Sequence, residues 1–102
     1  MFGVTFDVPG PITAYDAVHA EVLRETGGDA AGLLVHVGRS TAEGFQVIEV
    51  WDSRESYDAY YQTVMPAILA RAAGDQAGPP PAQSAVEIDV RGLVIPGQRV
   101  VV

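Results

Sequence analysis

Hydrophobic residues alternate with polar or smaller residues in four short stretches of the chain, which is the period of two that a β-strand imposes. These stretches cover residues 2–7, 33–38, 44–51 and 85–90. A short polar loop separates the second stretch from the third. We therefore predict that these two strands form an antiparallel hairpin.

Two further segments carry apolar residues at spacings of three and four, which predicts helices. The first covers residues 12–24, and Gly27 is expected to stop it. The second covers roughly residues 53–71, and Pro66 is expected to bend it because proline lacks the N–H of the helical hydrogen bond. Residues 74–84 are rich in glycine and proline, which predicts a loop.

The resulting order of elements, β-α-β-β-α-β, is that of a ferredoxin-like sandwich in the α+β class. Residues 1–102 are predicted to form one domain, because a chain of this length is enough for one hydrophobic core and too short for two. Both helices are expected to lie on the same face of a four-stranded antiparallel sheet.

The second face of the predicted sheet is also apolar. In the third strand Val47 and Trp51 point to one face, while Ile48 and Val50 point to the other. Since the helices cover only one face, we expect a second copy of the sheet to cover the other face, in a homodimer. The apolar tail, residues 92–102, is expected to lie at this dimer interface.

Composition excludes several classes of function. The chain has thirteen acidic residues and six arginines, no lysine and no cysteine, and a net charge of −7 at pH 7. This charge opposes phosphate contacts, so neither nucleic acid nor an anionic membrane surface is an expected partner. The missing lysine and cysteine exclude Schiff-base chemistry, disulfides and thiolate sites. With no apolar leader or spanning segment in the sequence, we expect a cytoplasmic protein.

Two segments carry a resemblance to a known family. The run GFQVIEVWDSRESYDAY at 44–60, followed by VMPAIL at 64–69, resembles a strand and the second helix of the antibiotic biosynthesis monooxygenase-like proteins. These proteins belong to the dimeric α/β barrel superfamily. Upstream, GLLVHVG at 32–38 is similar to members in which a histidine-bearing strand precedes a tryptophan-serine junction. The element order extends the resemblance over the whole chain.

The resemblance implies a dimeric α/β barrel with a pocket between the helices and the sheet. The superfamily includes monooxygenases that oxidise aromatic polyketides without metal or flavin, heme-degrading enzymes, isomerases, and dehalogenating and decarboxylating enzymes. Heme-degrading members are similar in carrying an asparagine on the first strand and a tryptophan and a histidine on the second helix. This chain has no asparagine, and its second helix holds tyrosines but no histidine, so heme degradation is not expected.

Glu49 is the polar residue that the predicted strand explains least well. It lies between Val47 and Trp51 on one face, where an ionised carboxylate would cost several kcal/mol unless it is paired, hydrogen-bonded or protonated. One interpretation is a tuned acid in a site. The alternative is a structural ion pair at the barrel rim or dimer interface; the candidate partners are Arg39, Arg91 and Arg99.

His36 is the candidate partner of Glu49 within a functional site. If the hairpin pairs Gly38 with Phe45, Glu49 is the diagonal neighbour of His36 on the same face. A slip by one residue would take His36 to the opposite face. His19 lies in the apolar arc of the first helix. Either histidine is a hydrogen-bonded structural residue or part of a site, and two histidines without cysteine predict no metal.

The aromatic residues allow two interpretations. Trp51, Tyr57 and Tyr61 surround the junction between the third strand and the second helix. Aromatic residues at this spacing are typical of core packing. They would also suit a flat cleft in which an aromatic ligand stacks and a phenol hydroxyl donates a hydrogen bond.

Two functions therefore remain open for a homodimer that binds a small hydrophobic or aromatic molecule. The first is a cofactor-independent monooxygenase, cyclase or isomerase acting on an aromatic or polyketide-like substrate. In it Glu49 or His36 would be the catalytic base, and the substrate contacts would be His19, Trp51, Tyr57 and Tyr61. The second is a non-catalytic barrel for ligand binding or dimerisation. An internal cavity for a ring system favours the first function, and a filled pocket favours the second.

Overall fold

Four strands form one antiparallel sheet in the computed structural model, which describes residues 1–73, 84–97 and 100–101. The elements along the chain are β1 (Phe2–Pro9), α1 (Ile12–Thr26), β2 (Leu33–Ser40), β3 (Gly44–Trp51), α2 (Arg54–Thr63), α3 (Met65–Ala73), β4 (Ser84–Ile88), β5 (Val94–Ile95) and β6 (Val100–Val101). The sheet order is β2-β3-β1-β4, with β5 and β6 forming a separate pair. This is the ferredoxin-like arrangement, and the predicted fold class is confirmed.

The predicted loop over residues 74–84 lies outside the described residues except for Ser84, where β4 begins. Within the described ranges, no helix has the length and apolar character that crossing a membrane requires.

The hydrophobic core lies between the helices and one face of the sheet, which we call the inner face. The alternating residues Phe2, Val4, Phe6 and Val8 of β1 are all buried there. Ile68 of α3 is fully buried against the same cluster. Burying a side chain of this size contributes about 1.5–3 kcal/mol, so β1 anchors the helices to the sheet.

Helix α1 ends where the sequence predicts, at a glycine. Gly27 adopts a φ of 65°, a left-handed conformation that glycine reaches without strain, and its N–H bonds the carbonyl of Leu23 at 2.8 Å. On the side facing the sheet, Tyr15, Val18 and Val22 pack against the core. The helix therefore brings a polar aromatic residue to the inner face together with its apolar ones.

The single helix predicted over 53–71 is two helices in the structure. The N-cap Ser53 accepts a hydrogen bond from the backbone N–H of Ser56, and α2 then runs only to Thr63. Helix α3 begins at Met65. Pro66 explains the break, because it cannot donate to a carbonyl four residues earlier and its ring crowds that turn. The prediction of one continuous bent helix is therefore wrong, although Pro66 was correctly predicted to disturb the helix at this point.

The opposite face of the sheet, which we call the outer face, is mostly apolar over two rows of cross-strand neighbours. From β2 through β3 and β1 to β4, one row is Val35, Val50, Gly3 and Ile88, and the next is Val37, Ile48, Thr5 and Val86. Val50 is buried, but Val37 is 44% exposed and Val86 is 50% exposed. Both faces of β3 are therefore apolar as predicted, and part of the outer face is open to solvent in the single chain.

Candidate functional site

The hairpin register places His36 directly opposite Glu49 on the inner face. Gly38 pairs with Val47, so the pairing of Gly38 with Phe45 considered from the sequence is wrong by two residues. Because side chains alternate with a period of two, an offset of two keeps His36 and Glu49 on the same face. A β-bulge between Leu33 and Val35 sets the register at the start of β2.

Glu49 is buried, with 3% of its surface exposed, and both of its carboxylate oxygens accept hydrogen bonds. Nδ1 of His36 lies 2.8 Å from Oε2. The hydroxyl of Tyr61 donates to Oε1 at 2.9 Å, and Nε1–H of Trp51 donates to the same oxygen at 3.3 Å. Three donors of this kind offset much of the cost of burying the carboxylate.

Within the chain, Glu49 does not form the predicted ion pair with Arg39 or Arg91, the two candidate arginines that the structure describes. Arg39 donates through Nε to the side-chain oxygen of Gln46 at 2.7 Å, and Arg91 pairs with Asp89 at 3.2 Å. Arg99 lies outside the described residues. His36 is the residue that pairs with Glu49.

Tyr15 of α1 continues the hydrogen-bonded series from Glu49 through His36 to a residue outside the sheet. Its hydroxyl lies 2.9 Å from Nε2 of His36. Since Nδ1 of His36 faces the Glu49 carboxylate, it carries the proton, and Nε2 is left as the acceptor for the Tyr15 O–H. Nδ1 of His19 lies 3.5 Å from the same hydroxyl, at the weak end of hydrogen bonding. The ring planes of Tyr15, His19 and His36 are within 14° of parallel.

Gly38 leaves the space that the Tyr15 ring occupies against the sheet. A Cβ atom at Gly38 would overlap the Tyr15 ring, so any larger residue there would push the ring away from β2. Gly38 follows His36 by two residues and points to the same face. A glycine on the inner face is therefore what lets the tyrosine of the helix reach the histidine of the strand.

A cavity of about 170 Å³ lies between α1, α3 and the inner face of the sheet. Most of its wall is apolar, with contributions from Val18 and Val22 of α1, Phe45 of β3 and Leu69 of α3. The polar groups that line it are Tyr15, His19, His36, Glu49, Tyr60 and Tyr61, together with Thr26. An apolar chamber with a cluster of titratable groups on its wall is typical of a small-molecule site.

The structure brings four of the six predicted site residues to this cavity: His19, His36, Glu49 and Tyr61. It does not bring Trp51 or Tyr57 there. Trp51 is fully buried and packs on Tyr60, with ring centroids 5.2 Å apart, and its contact with the site is its hydrogen bond to Glu49. Tyr57 packs between Phe2 and Tyr61, with centroid distances of 4.9 and 4.7 Å. These two residues pack in the core behind the site and do not line the cavity.

Tyr15 is the site residue that sequence reasoning missed. The signal that could have found it is its spacing from His19, because residues four apart lie on the same face of a helix. Its contact with His36 crosses from helix to strand over 21 positions, and spacing along the chain does not reveal such a contact.

The environment of the site keeps its tyrosines protonated. Burial and the adjacent Glu49 carboxylate raise the pKa of Tyr61 well above its ordinary value of 10.0, and the hydrogen bond to that carboxylate adds to this effect. Burial, with a contribution from Glu49, raises the pKa of Tyr60 to about 12. Burial, with contributions from Asp16 and Glu49, also raises the pKa of Tyr15. At neutral pH these hydroxyls are therefore hydrogen-bond donors.

Comparison with known proteins identifies the fold. Neither a family model nor a curated protein matches the sequence. Among solved structures, an antibiotic biosynthesis monooxygenase is 15% identical with a TM-score of 0.61, over 88% of this chain and 98% of that one. SnoaB, a cofactor-independent oxygenase from Streptomyces nogalater, is 17% identical with a TM-score of 0.56, over 93% of this chain and 94% of that one.

A third similar structure is the heme-degrader MhuD from Mycobacterium tuberculosis, which has two hemes bound in its active site. It is 22% identical with a TM-score of 0.55, over 93% of this chain and 99% of that one. The fold is that of the antibiotic biosynthesis monooxygenases. The predicted resemblance to the antibiotic biosynthesis monooxygenase-like proteins is confirmed at the level of the fold.

Proposed function

We propose that this protein is a cofactor-independent monooxygenase-like enzyme that acts on a small aromatic molecule bearing a hydroxyl group. The observation that carries the proposal is the His36–Glu49 pair, which lies in the wall of an apolar cavity. A histidine held by a carboxylate is a common general base, because the carboxylate fixes the tautomer and stabilises the imidazolium that forms. SnoaB, a cofactor-independent oxygenase, shares the fold.

In this proposal His36 is the base, and Glu49 is a positioning residue. Both oxygens of Glu49 already accept hydrogen bonds, and its side chain is only 4% exposed, whereas that of His36 is 27% exposed. A ligand hydroxyl can therefore approach the histidine end of the pair, where Nε2 meets the Tyr15 hydroxyl, more readily than the carboxylate end. The sequence-based alternative of Glu49 as the direct base is less favoured by this geometry.

The chemistry needs dioxygen and a substrate that supplies the electrons. Removal of the hydroxyl proton gives a phenolate, which is a much better electron donor to O₂ than the neutral phenol. One oxygen atom then enters the ring to give a quinone. The other leaves as water with two hydrogens, the hydroxyl proton and the hydrogen displaced from the ring carbon. The part of the chain described here supplies the base and the hydroxyl donors for this sequence.

Oxygen uptake by the purified protein with a series of hydroxylated aromatic compounds tests this proposal. We expect uptake and quinone formation without added metal or flavin, and a loss of about 100-fold or more in rate for His36→Gln. Glu87→Gln is the matched control, because Glu87 lies in the same cross-strand row but is exposed. If hydroxylated aromatics bind without oxygen uptake, the non-catalytic ligand-binding function replaces the enzymatic one.

A homodimeric state and a cytoplasmic location belong to the same proposal. The apolar outer face supports the dimer, because exposed valines such as Val37 and Val86 would be covered by a second sheet. In the tail, β5 and β6 pair with each other, and Val94 is 64% exposed. We propose that this tail, within residues 92–102, contributes to the same interface.

A further inference from the structure

The cavity limits the size of the ligand. Its volume of about 170 Å³ is close to the roughly 150 Å³ of an engineered protein cavity that takes up benzene. It is well below the roughly 300 Å³ at which pockets for drug-sized ligands begin. A single six-membered ring fits this space, whereas a fused-ring polyketide or the four pyrrole rings of heme would extend far outside it.

The charges around the cavity disfavour an anionic ligand. Among the described residues that line it, there is no arginine to face an anionic group, and Glu49 is an acidic neighbour. Arg71, the arginine of α3, is held at the helix surface by Glu21 and Glu25 of α1. A carboxylate or phosphate on the ligand would therefore lose its hydration without gaining an ionic partner.

The hydrogen bond from Tyr15 to His36 favours a donor on the ligand. Nε2 of His36 accepts the proton of Tyr15, so the Tyr15 oxygen keeps its lone pairs for another donor. The present neighbour, Nδ1 of His19, lies 3.5 Å away and is a weak competitor. A hydroxyl on a ring in the cavity can donate to Tyr15 at a normal distance, and a carbonyl or ether oxygen cannot.

We infer that the substrate is a neutral single-ring phenol whose hydroxyl donates to Tyr15, so that Tyr15 contacts the substrate and His36 receives the proton through it. This inference rests on the proposed function. In the transfer, the substrate O–H bond breaks as a new O–H bond forms on Tyr15. The original Tyr15 proton moves to Nε2 of His36, and the imidazolium that forms faces the Glu49 carboxylate. Tyr15 is therefore a further catalytic residue.

Calorimetric binding of four probes to the full chain tests the inference. Phenol is the expected ligand, benzoate tests charge at a similar size, 1-naphthol tests size, and toluene tests the apolar wall alone. We expect phenol to bind about tenfold or more tightly than either benzoate or 1-naphthol. Benzoate or 1-naphthol binding as tightly as phenol would overturn the inference.

Two variants separate the hydroxyl contact from the size of the cavity. Tyr15→Phe should weaken phenol binding about tenfold and leave toluene binding unchanged, which a purely structural role of Tyr15 would not do. Leu69→Ala should enlarge the cavity from α3 and admit 1-naphthol. Equal losses of phenol and toluene in Tyr15→Phe would contradict the assignment of Tyr15.

The binding results also distinguish failure of this inference from failure of the proposed function. If phenol binds through Tyr15 but no hydroxylated aromatic compound causes oxygen uptake, the proposed function fails. In that case the substrate assignment is overturned with it, and only a phenol-binding site remains. If larger hydroxylated compounds cause oxygen uptake while phenol does not bind, the proposed function stands and the single-ring assignment fails.

Discussion

The inner and outer faces of the same sheet depart from the usual distribution of residues in opposite ways. On the inner face a carboxylate, Glu49, is 3% exposed under the helices. On the outer face Val37 is 44% exposed, although it is only one position along β2 from His36, the partner of Glu49. Buried charge and exposed aliphatic surface are both informative, because folding alone favours neither.

In the proposed function, the inner face serves chemistry and the outer face serves association. The inner face encloses a small cavity and satisfies its buried carboxylate with three donors, as a site for a ligand requires. The outer face is mostly apolar over two rows and partly exposed, as a surface for a second sheet requires. Three substitutions and a change of pH test the difference between the two faces.

Replacing the buried Glu49 carboxylate should have the largest effect, a loss of folding stability. Glu49→Ala leaves the hydrogen-bond donors of His36, Trp51 and Tyr61 buried without their acceptor, so we expect the free energy of unfolding to fall by about 3–5 kcal/mol. Glu87→Ala, in the same row but exposed, should change it by less than about 0.5 kcal/mol. Urea denaturation of both variants measures the difference, and similar losses would remove the distinction between the two acids.

A charge on the outer face should separate the proposed dimer. Val37→Glu would place a carboxylate in an apolar interface, so we expect the dissociation constant to rise at least about 100-fold. Leu23→Glu is the matched control, because Leu23 is exposed to a similar extent, 47%, but lies on α1. Sedimentation equilibrium gives both values. A wild-type monomer, or a Val37→Glu protein that stays dimeric, would contradict the proposed interface.

Removing the Tyr61 hydroxyl should show how much its hydrogen bond to Glu49 contributes to the free energy of unfolding. Tyr61→Phe deletes the donor that lies 2.9 Å from Oε1, and we expect a loss of about 1–2 kcal/mol in the free energy of unfolding. Tyr57→Phe is the control, since the hydroxyl of Tyr57 has no hydrogen-bond partner within the part of the chain that the structure describes. Chemical denaturation should show a larger loss for Tyr61→Phe; the reverse order would be inconsistent with the site.

Alkaline pH should have the smallest effect of the four. The pKa of Tyr61 is raised in the folded state, so its contribution to stability is complete below the unfolded pKa and decreases as the pH rises above it. The stability difference between the wild type and Tyr61→Phe should therefore narrow, by about 0.4 kcal/mol at about pH 10. Denaturation at pH values from about 8 to 10 measures this change. A difference that widens would have the wrong sign.

Patterns within single elements predicted most of the fold and part of the site. Alternation in β3 correctly placed Glu49 between Val47 and Trp51 on a buried face, because the period of a strand depends only on local geometry. The pairing of His36 with Glu49 depends on the hairpin register, which the loop between Ser40 and Gly44 sets. The alternating pattern does not show where in this loop the strands begin to pair.

Contacts between distant elements were the part that the sequence could not supply. Tyr15 reaches His36 because Gly38 leaves room for its ring, and this depends on how α1 crosses the sheet. The same limit applies to Trp51, where the pattern could not separate a residue that lines a cleft from one that packs behind it. Residues that share one element were predictable, and residues brought together by packing were not.

The most direct test of the site is the tautomer of His36, measured by nitrogen NMR of the imidazole at neutral pH. We expect a proton on Nδ1, facing Glu49, and an unprotonated Nε2 that accepts from Tyr15. In Tyr15→Phe the signal of Nε2 should shift and that of Nδ1 should stay. A neutral His36 with its proton on Nε2 would contradict the account, because that nitrogen could not act as the base.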